Sequence, residues 1–261
     1  METELFKIEN EKVTNSYALM NGFTSLKSWD MNFPNTTDAS FLFCGCSNLE
    51  SVNCDCPNAK KTTSMFNGCN KLTSVTSDIH SATDTRAMFY NCQKLKQIPS
   101  NLTYHNCDMM FYNCLALNTF DKNLGNVRYC SEMFAVDVNN RWNALYFYPS
   151  TTYNSSNLSS IYGADKMFNY RKISSLSLVN VFNTFNYRSE NATVKLGYIH
   201  VGSSTEFNWL KNKGTVEKAY YTVDNQPLYI FKASDVSGGK WEFHFIYDPN
   251  ATPSPSLDFN N

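Results

Sequence analysis

Met65-Phe66-Asn67-Gly68-Cys69-Asn70-Lys71-Leu72-Thr73-Ser74-Val75 decides the fold, because the same phrase returns along the chain. Its copies open at Met20, Phe43, Phe66, Phe89, Phe111 and Phe134, at intervals of 23, 23, 23, 22 and 23 residues. A fixed period in this range marks an architecture of stacked repeats. After each opening residue an apolar side chain recurs at every third position. The series are Met20, Phe23, Leu26, Trp29; Phe43, Cys46, Leu49, Val52; Phe66, Cys69, Leu72, Val75; Phe89, Cys92, Leu95, Ile98; and Phe111, Cys114, Leu117, Phe120.

The residue before each opening position is also large and apolar (Leu19, Leu42, Met65, Met88, Met110, Met133), so this part reads as a short helical or 3₁₀ turn. The Leu-x-x-Val part reads as a short strand that stacks on its counterpart in the next rung. Between the two stands Gly22, Gly45, Gly68, Asn91 or Asn113. Only Gly, and Asn at modest cost, visits the left-handed region readily, so this position is expected to turn the chain from helix to strand. Four buried side chains do not offset the entropy of ordering a whole rung, and burial must come from neighbouring rungs.

The Met-Phe-x-x-Cys-x-x-Leu-x-x-Val phrase resembles the BspA-type leucine-rich repeat, found in surface and adhesion proteins of bacteria and some protozoa and in phage tail proteins. Matching residues run from Leu19 to Phe134, with a degenerate copy at Met167-Phe168. The resemblance implies a leucine-rich-repeat-like solenoid of short strands and short helical turns, serving as a scaffold for binding. It does not identify a ligand, because such scaffolds carry varied sites.

The pattern changes after Phe134. Asp137 stands where the ladder cysteine belongs, and the next Met-Phe pair arrives 34 residues after the last. The Ser-, Asn- and Tyr-rich stretch 141–162 is expected to loop out of the stack, as insertions in repeat arrays do. Beyond residue 191, segments 219–223, 228–231 and 241–248 read as strands, the last with Trp241, Phe243, Phe245 and Tyr247 alternating on one face. Residues 206–213, closed by Gly214, read as a short helix. The expected organisation is an N-terminal cap over 1–18, a solenoid over 19–190 with its insertion, a β-rich cap or small domain over 191–250, and a tail over 251–261. A cap is the favoured reading, since a stack needs its last apolar rung covered.

A net charge of −1 excludes nucleic-acid binding through an overall basic surface. No apolar run approaches the ~18 residues of a membrane span. The start, Met1-Glu-Thr-Glu-Leu-Phe-Lys, lacks the basic and apolar segments of a signal peptide, so the expected location is a virion or the cytoplasm. An extracellular or cell-surface location would require a leader from elsewhere.

Of nine cysteines, Cys46, Cys69, Cys92 and Cys114 share one repeat position and are expected to form a buried column of reduced thiols. Cys44, Cys46, Cys54 and Cys56 make two Cys-x-Cys pairs, but structural zinc sites use Cys-x₂₋₄-Cys spacing, and Cys46 is assigned to the core. Neither metal nor cofactor is expected. His80, His105, His200 and His244 lie in unrelated contexts without a nucleophile beside them, and Gly238-Gly239-Lys240 lacks the rest of a phosphate loop. No carboxylate pair of the kind glycoside hydrolysis uses can be placed. Asparagine makes up about an eighth of the chain, which suits either a polar contact surface or an AT-rich genome.

These readings leave two classes. The first is a non-enzymatic binding or structural repeat protein: a phage virion or tail component that recognises protein or glycan on a host surface, or alternatively a BspA-like cell-surface adhesin. The second is a carbohydrate-active enzyme with its site in the insertion or C-terminal part. For the binding class the strand face is the candidate, with Glu50, Ser51, Thr73, Ser74, Lys96, Gln97, Asn118 and Thr119 between the core positions. Protein or cell-surface glycan would be the partner, and an oligomer or a larger particle the setting.

Overall fold

The computed structural model describes residues 10–122, 124, 127–140, 143–147, 163–173, 194–201, 204–223, 225–233 and 241–247. Rung stacks on rung through the backbone. Parallel bridges join Asp38 to Lys61, Lys61 to Asp84, Asp84 to Asn106, Asn106 to Tyr129 and Tyr129 to Gly163. The opening phenylalanines form one column: Phe43, Phe66, Phe89, Phe111, Phe134 and Phe168 lie face to face with ring centroids 5.3 to 5.8 Å apart and planes within 11° of parallel. All six are fully buried. Identical side chains at a fixed period can register in this way, and offset stacking adds to what burial alone contributes.

The opening phrase is not a 3₁₀ helix. It is a run of tight turns, since Phe41, Ser64, Ala87, Met109 and Glu132 all take positive φ between 50° and 60°. This interruption lets alternate N–H groups leave the rung. Ala39, Phe41, Phe43 and Gly45 donate to the carbonyls of Lys61, Thr63, Met65 and Asn67 in the next rung, while Leu42, Cys44 and Cys46 donate back to Ala39, Phe41 and Phe43 in their own. The expected turn position holds: Gly22, Gly45 and Gly68 have φ of 76°, 75° and 77°, and Asn91 and Asn113 both 60°. A Cβ on Gly45 would meet nothing closer than 3.6 Å, so the backbone angle, not space, selects glycine there.

Short strands follow each turn. β1 (Ser28–Asp30), β2 (Ser51–Asn53) and β3 (Ser74–Val75) form a three-stranded parallel sheet in the register of the repeat, Trp29 opposite Val52 opposite Val75. The fourth rung breaks the expectation, because Gln97 and Ile98 are not a strand. β4 (Thr119–Phe120) resumes on the far side and begins a second sheet, ordered β4-β5-β6-β7-β10-β9-β8. Its members are β5 (Asn143–Phe147), β6 (Arg171–Ile173), β7 (Val194–Val201), β8 (Gly214–Val223), β9 (Gln226–Ala233) and β10 (Trp241–Tyr247).

Within segment 141–162, the described part is β5, which pairs in parallel with β4 and β6; the rest lies outside the described residues. The single described α-helix, α1 (Ser204–Lys213), buries Trp209 and Leu210. The strands and helix expected beyond residue 191 are present. On β10, however, Phe245 and its neighbour Ile246 are both buried, as suits a strand flanked by β7 and β9 in the middle of a sheet rather than one with a solvated face. The expected tail, 251–261, lies outside the described residues.

The cysteine column exists and has a chemical reason. Cys46, Cys69, Cys92 and Cys114 are fully buried, and each donates its S–H to the carbonyl of the opening residue one rung back: Met20, Phe43, Phe66 and Phe89, at 3.0 to 3.1 Å. A thiol fills the slot as a small hydrophobe and gives a second donor to a buried carbonyl that already accepts an N–H from its own rung. A second column runs the other way. Thr62, Thr85 and Cys107 donate forward to the carbonyls of Asp84, Asn106 and Tyr129 in the next rung.

Asparagines and aspartates also tie rungs together. Asn32 and Asp55 accept the backbone N–H of Asp55 and Asp78, while Asn35, Asn48 and Asn58 donate to the carbonyls of Glu11, Thr24 and Pro34. Much of the asparagine excess is therefore structural.

Candidate binding site on the strand face

The sequence-predicted face is assembled as two columns. Glu50, Thr73, Lys96 and Asn118 form one, and Ser51, Ser74, Gln97 and Thr119 the other; all are exposed except the half-buried Ser74. The backbone keeps the first three rungs in step: Glu50 N donates to Lys27 O, Thr73 N to Glu50 O, and Lys96 N to Thr73 O. No counterpart runs from Asn118 N to Lys96 O.

Two residues beside the gap depart from the repeat. Pro99 stands where Thr76 stands one rung earlier; Thr76 N donates to Val52 O, and proline has no N–H to offer Val75 O. Tyr104 occupies the place of Ala59 and Ala82 in the preceding rungs, a large ring packed edge-on against Phe120 with centroids 5.7 Å apart. The proline removes a ladder bond between rungs three and four, and Tyr104 sets a large ring against Phe120 of rung five, so the repeat is interrupted on both sides of Gln97 and Ile98.

The result is a cleft of about 350 Å³, with Lys96, Gln97 and Ile98 on one side and Leu117, Thr119, Asp121 and Lys122 on the other. A second, of about 340 Å³, lies on the other side of Gln97 and Ile98, toward Val75 and Asp78. The first contains three of the predicted residues, Lys96, Gln97 and Thr119, and does not touch Glu50, Ser51, Thr73, Ser74 or Asn118. Ile98, Leu117, Asp121 and Lys122 were not anticipated; Pro99 and the one short interval of 22 residues were the available signals.

Charge divides the two clefts. In the first, Lys122 Nζ is 2.9 Å from Asp121 Oδ1, which leaves Lys96 as a cation with no ion-pair partner among the described residues. In the second, Asp78 is bound by the His80 ring at 2.8 Å and by the Asn101 amide. Hydrogen bonding from His80 holds the Asp78 carboxyl below its ordinary range. The Tyr104 hydroxyl is buried without a hydrogen-bond partner among the described residues. Burial, together with the charges of Cys107 and Asp121, pushes its pKa up. Replacing Tyr104 with Phe removes that orphaned group and keeps the ring, so Tyr104→Phe should raise stability by about 1–2 kcal/mol in chemical denaturation; a loss would show the hydroxyl to be satisfied.

The remaining sequence candidates sit apart. Cys54 and Cys56 are buried with sulfurs 3.8 Å apart, Cys44 is half-buried one turn away from the core, and Cys46 is committed to Met20 O. Among the described residues no three His, Cys, Asp or Glu side chains gather as a metal site. No described helix is long and apolar enough to cross a membrane.

The family profile described as BspA type leucine rich repeat region matches residues 12–140 in six copies. That stretch is a BspA-type leucine-rich repeat region. The match starts before the first opening residue and ends just past Phe134, so it covers the cysteine column, the phenylalanine column as far as Phe134 and both clefts, but not Phe168 or β5 to β10. Leucine-rich repeats of this type are a binding family rather than a catalytic one, and protein binding is their general role. Comparison with curated proteins and with solved structures returns no match.

Proposed function

We propose that this chain is a non-enzymatic recognition protein that contacts its partner through the strand face of a leucine-rich-repeat solenoid. The observation that carries the reading is the register of the exposed columns. Side chains from successive rungs stand in line on a backbone tied by rung-to-rung hydrogen bonds, so a ligand meets groups already held in place and loses little to ordering them. The clefts add relief to an otherwise flat face.

The finer reading is a phage virion or tail component that meets a protein or glycan on a host surface. Nine free cysteines, eight of them buried, suit a chain that folds where thiols stay reduced. Phage tail proteins are also among the settings of this repeat type. On this reading β7 to β10 and α1 cap the last rung, continuing its sheet and closing it with the antiparallel pair β8 and β9.

The test is binding of the full chain to intact bacterial cells and to a glycan array, beside a variant with Ser74, Gln97 and Thr119 all changed to Ala. We expect that variant to keep its thermal stability and lose at least about tenfold in affinity, or ~1.4 kcal/mol. Undiminished binding would rule out the strand face. No binding by the unaltered chain to any surface would favour a purely structural role in a particle.

A further inference from the structure

We infer that the cleft between rungs four and five takes a carboxylate-bearing sugar residue, of the uronic acid class, with Lys96 as the group that selects its charge. The inference rests on the recognition function proposed above and specifies the ligand of that site.

Three features of the cleft point the same way. Its charge is unbalanced: Asp121 and Lys122 form a pair at 2.9 Å, and Lys96 faces them with no carboxylate of its own among the described residues. An anionic ligand supplies the missing partner, and a neutral one leaves Lys96 as it is. Its polar groups suit hydroxyls of both senses. Gln97 can donate and accept, the Thr119 hydroxyl has only its neighbour Asn118 within reach at 3.4 Å, and the Asp121 carboxylate accepts. Ile98 and Leu117 add apolar surface on which the C–H face of a pyranose ring can lie. A volume of about 350 Å³ is enough for one such ring with ordered water and too small for a folded partner.

The neighbouring cleft serves as an internal contrast. Its charged group, Asp78, is already engaged by His80 and Asn101, and it offers no cation to an anion. The difference arises at one rung, where a lysine stands between Thr73 and Asn118 in the same column.

The experiment titrates the full chain with oligogalacturonate, with an uncharged galactose oligomer of the same length, and with polyglutamate. The same series is run on Lys96→Met, which keeps the aliphatic stem and removes the charge, and on Lys61→Met as a charge-matched control on the turn side. We expect oligogalacturonate to bind at least tenfold more tightly than the other two probes, and Lys96→Met to lose at least tenfold for it while Lys61→Met does not. Equal binding of charged and uncharged sugars would overturn the inference, as would polyglutamate binding as well as oligogalacturonate, or an unchanged Lys96→Met. If the chain still binds intact bacterial cells in any of those cases, only the ligand assignment fails. If it binds neither cells nor sugars, the recognition reading fails with it.

Discussion

Raising the pH from 8 to 10.5 should markedly destabilise the chain, and the cysteine column should be a main reason. Burial pushes the Cys114 thiol up from 9.0 to about 12. Desolvation also raises Cys69 and lifts Cys92 well above its ordinary value, with neighbouring ladder thiols adding to both shifts. Burial raises Cys46 as well. A group whose folded pKa lies above its unfolded one lends stability that is complete below the unfolded value and is lost as pH climbs toward the folded value.

The window therefore opens near pH 9 and extends to about 12 for Cys114. A thiol gives up about 1.4 kcal/mol per pH unit between its unfolded and folded values. At pH 10.5 that is roughly 2 kcal/mol for Cys114, and the other three ladder thiols act in the same direction. Arg171 acts in the opposite sense. Its pKa is lowered by burial to about 10, so the cost of its charge is relieved only toward the upper end of the same range.

Guanidinium midpoints measured at successive pH values provide the check. The double variant Cys92→Ala, Cys114→Ala should be less stable at pH 7 but fall less steeply above pH 9, because two of the four increments are gone. Parallel slopes would mean that the ladder thiols do not set the alkaline limit.

The columns were legible because they recur. Phe43, Phe66 and Phe89, or Cys46, Cys69 and Cys92, announce themselves by period, and the glycine and asparagine at the turn do so by a backbone angle few residues adopt. What stayed hidden lacks one of these marks. The second left-handed position is filled by Phe41, Ser64, Ala87, Met109 and Glu132, which share no chemistry; each tolerates a strained φ because the rung-to-rung bonds hold it there. The forward-donating column passes from threonine at Thr62 and Thr85 to cysteine at Cys107, and only the hydrogen bonds reveal them as equivalents.

The candidate site was half visible. Lys96, Gln97 and Thr119 follow from the repeat, but a cleft is a departure from the repeat, and Pro99 and Tyr104 beside it depart as well. Averaging over copies conceals what a single copy changes, and here that change coincides with the relief on the candidate face. The largest departure lies one rung beyond the matched region, at Arg171, where the degenerate copy at Met167-Phe168 puts an arginine in the cysteine's place.

Changing Arg171 to Ala should cost about 3 kcal/mol and loosen the join between the repeats and the C-terminal sheet. Arg171 is three residues after Phe168, the place of the ladder cysteine. Its side chain does the ladder's work over a longer reach: Nε donates to Phe134 O at 2.7 Å and Nη2 to Cys114 O at 3.0 Å. The rung that lacks a cysteine is thus spanned from behind, since Asp137 turns instead to Asn113 and caps the 3₁₀ turn Val138–Asn140. Truncation removes two charge-assisted bonds to buried carbonyls, at about 1–3 kcal/mol each, although Cys114 O keeps the Leu117 N–H, and it opens a cavity. Against this stands the cost of burying the cation, about 3 kcal/mol for a pKa held near 10 rather than 12.5. The balance predicts an order among variants. Arg171→Met fills the space and removes the charge, so it should be the mildest; Arg171→Cys restores a thiol that can reach only Phe134 O and should fall between; Arg171→Ala should be the most damaging. Chemical denaturation of the three beside the unaltered chain decides it. If Arg171→Met proves as damaging as Arg171→Ala, the two carbonyl bonds outweigh both cavity and charge, and the guanidinium is a clamp rather than a space-filling replacement for the missing cysteine.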